Sequence, residues 1–234
     1  MGVEEGPPAG AGSVTSEHGI AVPAVGSDVS ALLRRPRGAK WLYVFAHGAG
    51  TDMRHRSMEA TAAALAEEGI ATLRYNFPYK ERGGGRPDTP AVATATVRAA
   101  MGAAAQLAPG LRLVAGGRSF GGRMTSLAAS QESLAGAEAL VFFGFPLHPA
   151  GKPGIDRAEH LAAVGVPMLF LQGANDALAT LELLRPMVMR LGKKGTLHVV
   201  EQADHSFHVP KRTGLSDEQV LEGLARRVAE WLPG

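Results

Sequence analysis

The stretch that most constrains this chain is Leu111-Arg112-Leu113-Val114-Ala115-Gly116-Gly117-Arg118-Ser119-Phe120-Gly121-Gly122-Arg123-Met124. An apolar run enters Gly117-x-Ser119-x-Gly121, and a helix-like pattern leaves it. The expected structure is a strand, a very tight turn and a helix. Such a turn lifts the serine hydroxyl off the sheet edge. The residues two before and two after the serine then come so close that a Cβ would clash, so both positions call for glycine. The following helix aims its N-terminal N–H groups at the turn and favours negative charge there. A serine so placed is expected to act as a nucleophile. The same turn allows another reading, a glycine-rich loop that binds a phosphate or nothing, with Ser119 as a plain helix N-cap.

Around this turn, apolar runs alternate with helical patterns. Trp41 to Ala46 is a continuous apolar run, as in a strand covered on both faces, and it ends in His47-Gly48-Ala49-Gly50. A helix is expected from His55 to Glu68, a strand from Ile70 to Tyr75, and a helix capped by Thr89 from Pro90 to Leu107. Strands are expected at 139–143, 166–171 and 196–201, with a helix interrupted by Pro186 and a last helix capped by Ser216. Residues 14–25 and 29–33 read as an antiparallel hairpin at one edge. Together these imply an α/β fold: a mostly parallel, doubly wound sheet with helices on both faces. Residues 1–12 read as a disordered tail before one domain over 13–234. The connection 144–165 is too short for a helical cap.

Composition removes several function classes. The net charge of +2 argues against nucleic acid as a partner. The chain has no cysteine, so disulfides, a thiol nucleophile and thiolate metal sites are out, and a cytoplasmic location is expected. No apolar run reaches membrane-spanning length, and Glu4 and Glu5 stand where a signal peptide would be basic, so no membrane association is expected. There is no HExxH and no GxGxxG after the first parallel strand, and Gly83-Gly84-Gly85 lacks a following Lys-Ser/Thr. No metal or cofactor is expected.

A serine hydroxyl needs a base, and the base needs an orienting group. Asp176 follows a strand in Gln172-Gly173-x-x-Asp176, and His205 follows the last strand in Asp204-His205-Ser206-Phe207. All three would meet at the carboxyl edge of the sheet, where open α/β folds bind ligands. The expected roles are Ser119 as nucleophile, His205 as base and Asp176 as its orienting acid. The expected oxyanion donors are the N–H groups of Phe120 and of Ala49 or, second, Gly48. His208 is the rival base and Asp156 the rival acid. Asp176 has a plainer reading as a helix N-cap, and Asp204 reads as a turn residue. His47 reads as a shaper of its loop, and His18, His55 and His198 as surface or structural residues. Phe143, Phe145 and Leu147 could wall the site or pack the core. Arg118 and Arg123 could attract an anionic substrate group or pair with local carboxylates. The loop 76–89 is long for a strand-to-helix connection, as functional loops often are, and Gly83-Gly84-Gly85 within it reads as flexible and as a candidate for the site's rim.

These motifs, in the order Ser, Asp, His, resemble the α/β-hydrolase superfamily over roughly residues 40–210. Tyr75-Asn76-Phe77-Pro78-Tyr79 and Arg86-Pro87-Asp88 resemble the branch of small hydrolase-like proteins that includes testis-expressed and NSL-complex-subunit proteins. The chain also resembles the dienelactone hydrolases, which have a cysteine nucleophile where Ser119 stands. The resemblance implies a serine hydrolase of esterase or thioesterase type acting on a small-molecule acyl substrate. Some members of that branch are subunits of larger complexes, so it also implies a second class, a non-catalytic interaction subunit.

Overall fold

The computed structural model describes residues 12–233; the expected tail lies outside the described residues but for Gly12. In chain order the strands are β1 (Val14–Val22), β2 (Ser27–Arg35), β3 (Trp41–Ala46), β4 (Ile70–Tyr75), β5 (Arg112–Arg118), β6 (Ala137–Phe143), β7 (Met168–Gly173) and β8 (Gly195–Val200). The helices are α1 (Arg56–Glu67), the single turn α2 (Pro78–Glu81), α3 (Pro90–Leu107), α4 (Phe120–Gln131), α5 (Leu181–Arg190) and α6 (Asp217–Trp231). The sheet has eight strands in the order β1-β2-β4-β3-β5-β6-β7-β8. β3 to β8 run parallel, while β1 and β2 form the expected antiparallel hairpin, with β2 pairing antiparallel to β4.

The continuous apolar strands are explained by two cores. In β3, Leu42, Val44 and Ala46 point to one face, and Trp41, Tyr43 and Phe45 to the other. All six are buried, because helices cover both sides. The first face packs against α3, α4 and α5 through Val97, Met124, Ala128 and Leu184. The second packs against α1 and α6 through Met58, Leu65, Leu224 and Val228. Ser216 and Gln219 form a reciprocal capping box at the start of α6. Losing such a cap typically costs about 1 kcal/mol.

One expectation needs correction. Pro186 does not interrupt its helix: α5 runs through it from Leu181 to Arg190. Pro186 is the sixth residue of a short helix, so the main loss is the single bond its missing N–H would have made to Glu182. Within the loop 76–89, Pro78 opens the turn α2. Of the two readings of Phe143, Phe145 and Leu147, core packing holds: all are at most 1% exposed and belong to the two cores. The connection 144–167 holds only a 3-10 helix, Asp156–Ala163, and no cap domain.

Candidate active site

The serine turn is enforced by backbone crowding. Ser119 has φ 49° and ψ −114°, outside the regions a side chain normally tolerates. A Cβ on Gly117 would stand 2.5 Å from the Ala46 carbonyl oxygen, and one on Gly121 would stand 2.5 Å from the same atom and 2.6 Å from that of His47. The serine's N–H donates to the Phe143 carbonyl at 3.1 Å, which ties the turn to β6. Ser119 occupies the N-cap position of α4, but its side chain makes no capping bond. The hydroxyl is engaged elsewhere.

That partner is His205. Its Nε2 lies 2.9 Å from Ser119 Oγ, and its Nδ1 lies 2.6 Å from Asp176 Oδ2. Ser119 and His205 are half-buried, and the Asp176 side chain is fully enclosed. Asp176 follows β7 and precedes α5, whose cap position is taken by Thr180, so Asp176 is not that helix's N-cap. Its Oδ1 accepts from Leu178 N–H at 2.7 Å, and its Oδ2 also accepts from the Gln172 side-chain amide. The loops carrying Asp176 and His205 touch at Gly173, where a Cβ would stand 2.3 Å from the Asp204 carbonyl oxygen.

The rivals sit apart. His208 is exposed and pairs with Asp217 at 2.9 Å, which raises its pKa, first through that hydrogen bond. Asp156 is exposed at the start of the 3-10 helix. Asp204 is a turn residue, accepting from the N–H groups of Ser206 and His208. His55 caps α1, His18 bonds Ser16 on β1, and His198 lies within β8. Arg118 is buried, donates to the Ser206 carbonyl at 2.8 Å and lies over the Phe207 ring. It therefore braces the His205 loop and pairs with no carboxylate among the described residues.

The expected oxyanion loop runs beside the serine turn: a Cβ on Gly48 would stand 3.8 Å from Ser119 Cβ. Its carbonyls are pinned. Gly48 O accepts from His47 Nδ1 at 2.8 Å and from Thr51 Oγ1 and N–H at 3.1 and 3.2 Å. Ala49 O accepts from the Tyr79 hydroxyl at 2.7 Å. In a trans peptide the N–H points opposite to the preceding carbonyl, so fixing Gly48 O also fixes the direction of Ala49 N–H. The N–H groups of Ala49 and Phe120 have no acceptor among the described residues. His47 Nε2 accepts from Phe77 N–H at 3.1 Å, which requires a neutral ring. Burial, above all, lowers its pKa to about 4 and keeps it so. Burial likewise pushes the Tyr79 hydroxyl up to about 12, so it stays a donor. The Phe120 ring packs edge-on against Phe77 at 5.2 Å. The loop 76–89 thus braces both expected oxyanion donors.

Sequence reasoning missed Gln172 and Tyr79 as supports. Gln172 is fully buried within the otherwise apolar strand β7, where its Oε1 accepts from Phe145 N–H at 3.0 Å. A lone amide in such a strand must find partners, and that was the available signal.

Fold and site together define an α/β hydrolase. A model of the Alpha/beta hydrolase domain family matches residues 39–233, and the chain belongs to that family. Among solved structures it is similar to a dienelactone hydrolase from Anabaena variabilis, with TM-score 0.74 and 21% identity over 94% of this chain and 96% of that one. It is similar to a serine hydrolase without a lid from Xanthomonas campestris, with TM-score 0.71 and 22% identity over 94% and 96%. It is also similar to the esterase domain of a Rhodothermus marinus protein, with TM-score 0.69 and 17% identity over 93% and 98%. At these identities the likeness is one of fold. Among the described residues no helix is long and apolar enough to cross a membrane.

Proposed function

We propose that this protein is a serine hydrolase of esterase or thioesterase type that cleaves a small or medium acyl substrate. The observation that carries the reading is the unbroken chain from Ser119 Oγ through His205 to Asp176, at 2.9 and 2.6 Å. Ser119 Oγ attacks the acyl carbonyl carbon while His205 Nε2 takes its proton. The carbonyl oxygen becomes an oxyanion facing the N–H groups of Phe120 and Ala49, with Gly48 the lesser candidate. The intermediate collapses, the bond to the leaving alcohol or thiol breaks, and His205 gives that group its proton. Water, deprotonated by His205, then attacks the acyl-serine and restores the hydroxyl. Asp176 holds the imidazole with its proton on Nδ1 and stabilises the cation.

Structural neighbours named as esterases and serine hydrolases support the same reading. The Asn76 to Asp88 motifs support placing the chain in the testis-expressed and NSL-complex-subunit-like branch, and its proposed setting is the cytoplasm. The test is intact-mass measurement after incubation with a fluorophosphonate. One adduct on the native protein and none on Ser119→Ala is expected. No adduct on folded protein would overturn the reading in favour of a non-catalytic interaction subunit.

A further inference from the structure

Two arginines near the start of α4 and of the 3-10 helix Asp156–Ala163 form no ion pair among the described residues. Arg123 lies in the first turn of α4, and its N–H bonds the Ser119 carbonyl at 3.0 Å. It is about 6 Å along the helix axis from the serine. Its Nε is buried without a partner, and its side chain makes no hydrogen bond or ion pair among the described residues. The Arg157 side chain, on the 3-10 helix Asp156–Ala163, makes none either.

The contact between these two elements sets the arginines together. Ser126 Oγ lies 2.7 Å from His160 Nε2 and donates to the Arg123 carbonyl at 2.9 Å. Residues three apart share an edge of a 3-10 helix, so Arg157 lies one turn before His160 on the same side. On α4, Arg123 lies one turn before Ser126. Both elements run from the carboxyl edge of the parallel sheet toward its amino edge, so one turn back from the contact along each carries both arginines toward the Ser119 side. Burial first, and then the charge of Arg157, lowers the pKa of Arg123. The adjacent His160 is lowered to about 4 by burial and by Arg123, so it is neutral and offers no negative charge. The carboxylates on the same segment, Asp156 and Glu159, are exposed and bond neither arginine. Two half-buried cations that bond no carboxylate among the described residues repel each other, and an oxyanion held by both would relieve that repulsion. Their planar forks match a carboxylate or a phosphate.

We propose that Arg123 and Arg157 form an anion subsite beside Ser119, which receives a carboxylate or phosphate borne by the acyl substrate. The protein then acts on acyl compounds with an anionic end. This deepens, and rests on, the serine-hydrolase reading.

The test compares kcat/KM for 4-nitrophenyl hemisuccinate, an anionic acyl ester, with that for 4-nitrophenyl butyrate, a neutral one of similar length. The native protein should favour the hemisuccinate. Arg123→Gln and, separately, the more peripheral Arg157→Gln should each cut that ratio by roughly 10–100-fold, the value of a charge-assisted hydrogen bond, mainly through KM. Arg123→Lys should restore part of it. No preference in the native protein, or a preference that survives both substitutions, overturns the subsite. If neither ester turns over and the fluorophosphonate leaves no adduct, the catalytic reading fails by itself. Calorimetric titration with succinate and with inorganic phosphate then tests the subsite directly. Binding of either that is lost in Arg123→Gln supports it and says which anion is preferred; binding of neither overturns it.

Discussion

The two halves of the site are held in place by opposite means. The serine half is fixed by missing side chains: Gly117 and Gly121 press their backbones against Ala46 and His47, and the strained Ser119 has nowhere else to go. The histidine and aspartate half is fixed by a chain of side-chain hydrogen bonds, some local and some spanning many residues. Gln172 holds Asp176, Asp176 holds His205, and Arg118 holds the loop that carries His205. A backbone clash is nearly all-or-none, whereas a hydrogen-bond chain can be loosened one link at a time. Defects in the first half should therefore cost the fold, and defects in the second should cost the rate.

The largest effect is expected from Gly121→Ala, whose new methyl meets two carbonyl oxygens that cannot swing aside. Destabilisation of about 3 kcal/mol or more is expected in a denaturant titration, with activity lost alongside. Ordinary stability in this variant would break the comparison. Asp176→Asn should instead leave thermal unfolding nearly unchanged and lower kcat by roughly 10⁴-fold, because the amide favours the wrong imidazole tautomer.

Smaller effects sharpen the contrast. Gln172→Leu leaves Phe145 N–H unsatisfied and frees Asp176 to shift. A fall in kcat of roughly 10–100-fold is expected, with a stability loss of about 1–3 kcal/mol. Tyr79→Phe releases the Ala49 carbonyl. That carbonyl shares its peptide with Gly50 N–H, while Ala49 N–H stays fixed through Gly48 O, so only a small part of the roughly 10²–10³ cost of losing an oxyanion donor is expected: a fall of about 3–10-fold, in kcat and not in KM. His208→Ala should change turnover least, within about twofold. Its effect is on stability and follows pH: the raised His208 pKa means the Asp217 pair stabilises the fold fully below the ordinary histidine value of about 6.5, and less as pH climbs through the raised one. A melting-temperature difference that grows with pH would contradict this.

What could be read from the sequence divides along the same line. The serine turn, its glycines, the alternation of strand and helix and the caps at Thr89 and Ser216 are local constraints, visible within a few residues. The convergence of Asp176 and His205 followed from the rule that loops at one sheet edge meet. The Gln172 amide, the Tyr79 hydroxyl on Ala49 and the influence of Arg157 on Arg123 join residues 4 to 34 apart and are set by tertiary packing. Pro186 misled because one missing bond in a packed helix is outweighed by burial of Leu184, Met187 and Val188. Phe143 and Phe145 stayed open between wall and core because their place at a strand end fits either, and tertiary packing decides for the core.

The connection after β6 carries only one 3-10 helix. On the proposed chemistry, an acyl group on the half-buried Ser119 has no cap domain above it among the described residues. Nothing then shelters the intermediate from solvent long enough for a competing alcohol or amine to collect it. The partition of the acyl group should run to water, making this a hydrolase by exposure, and a transferase only if a roof were grafted on.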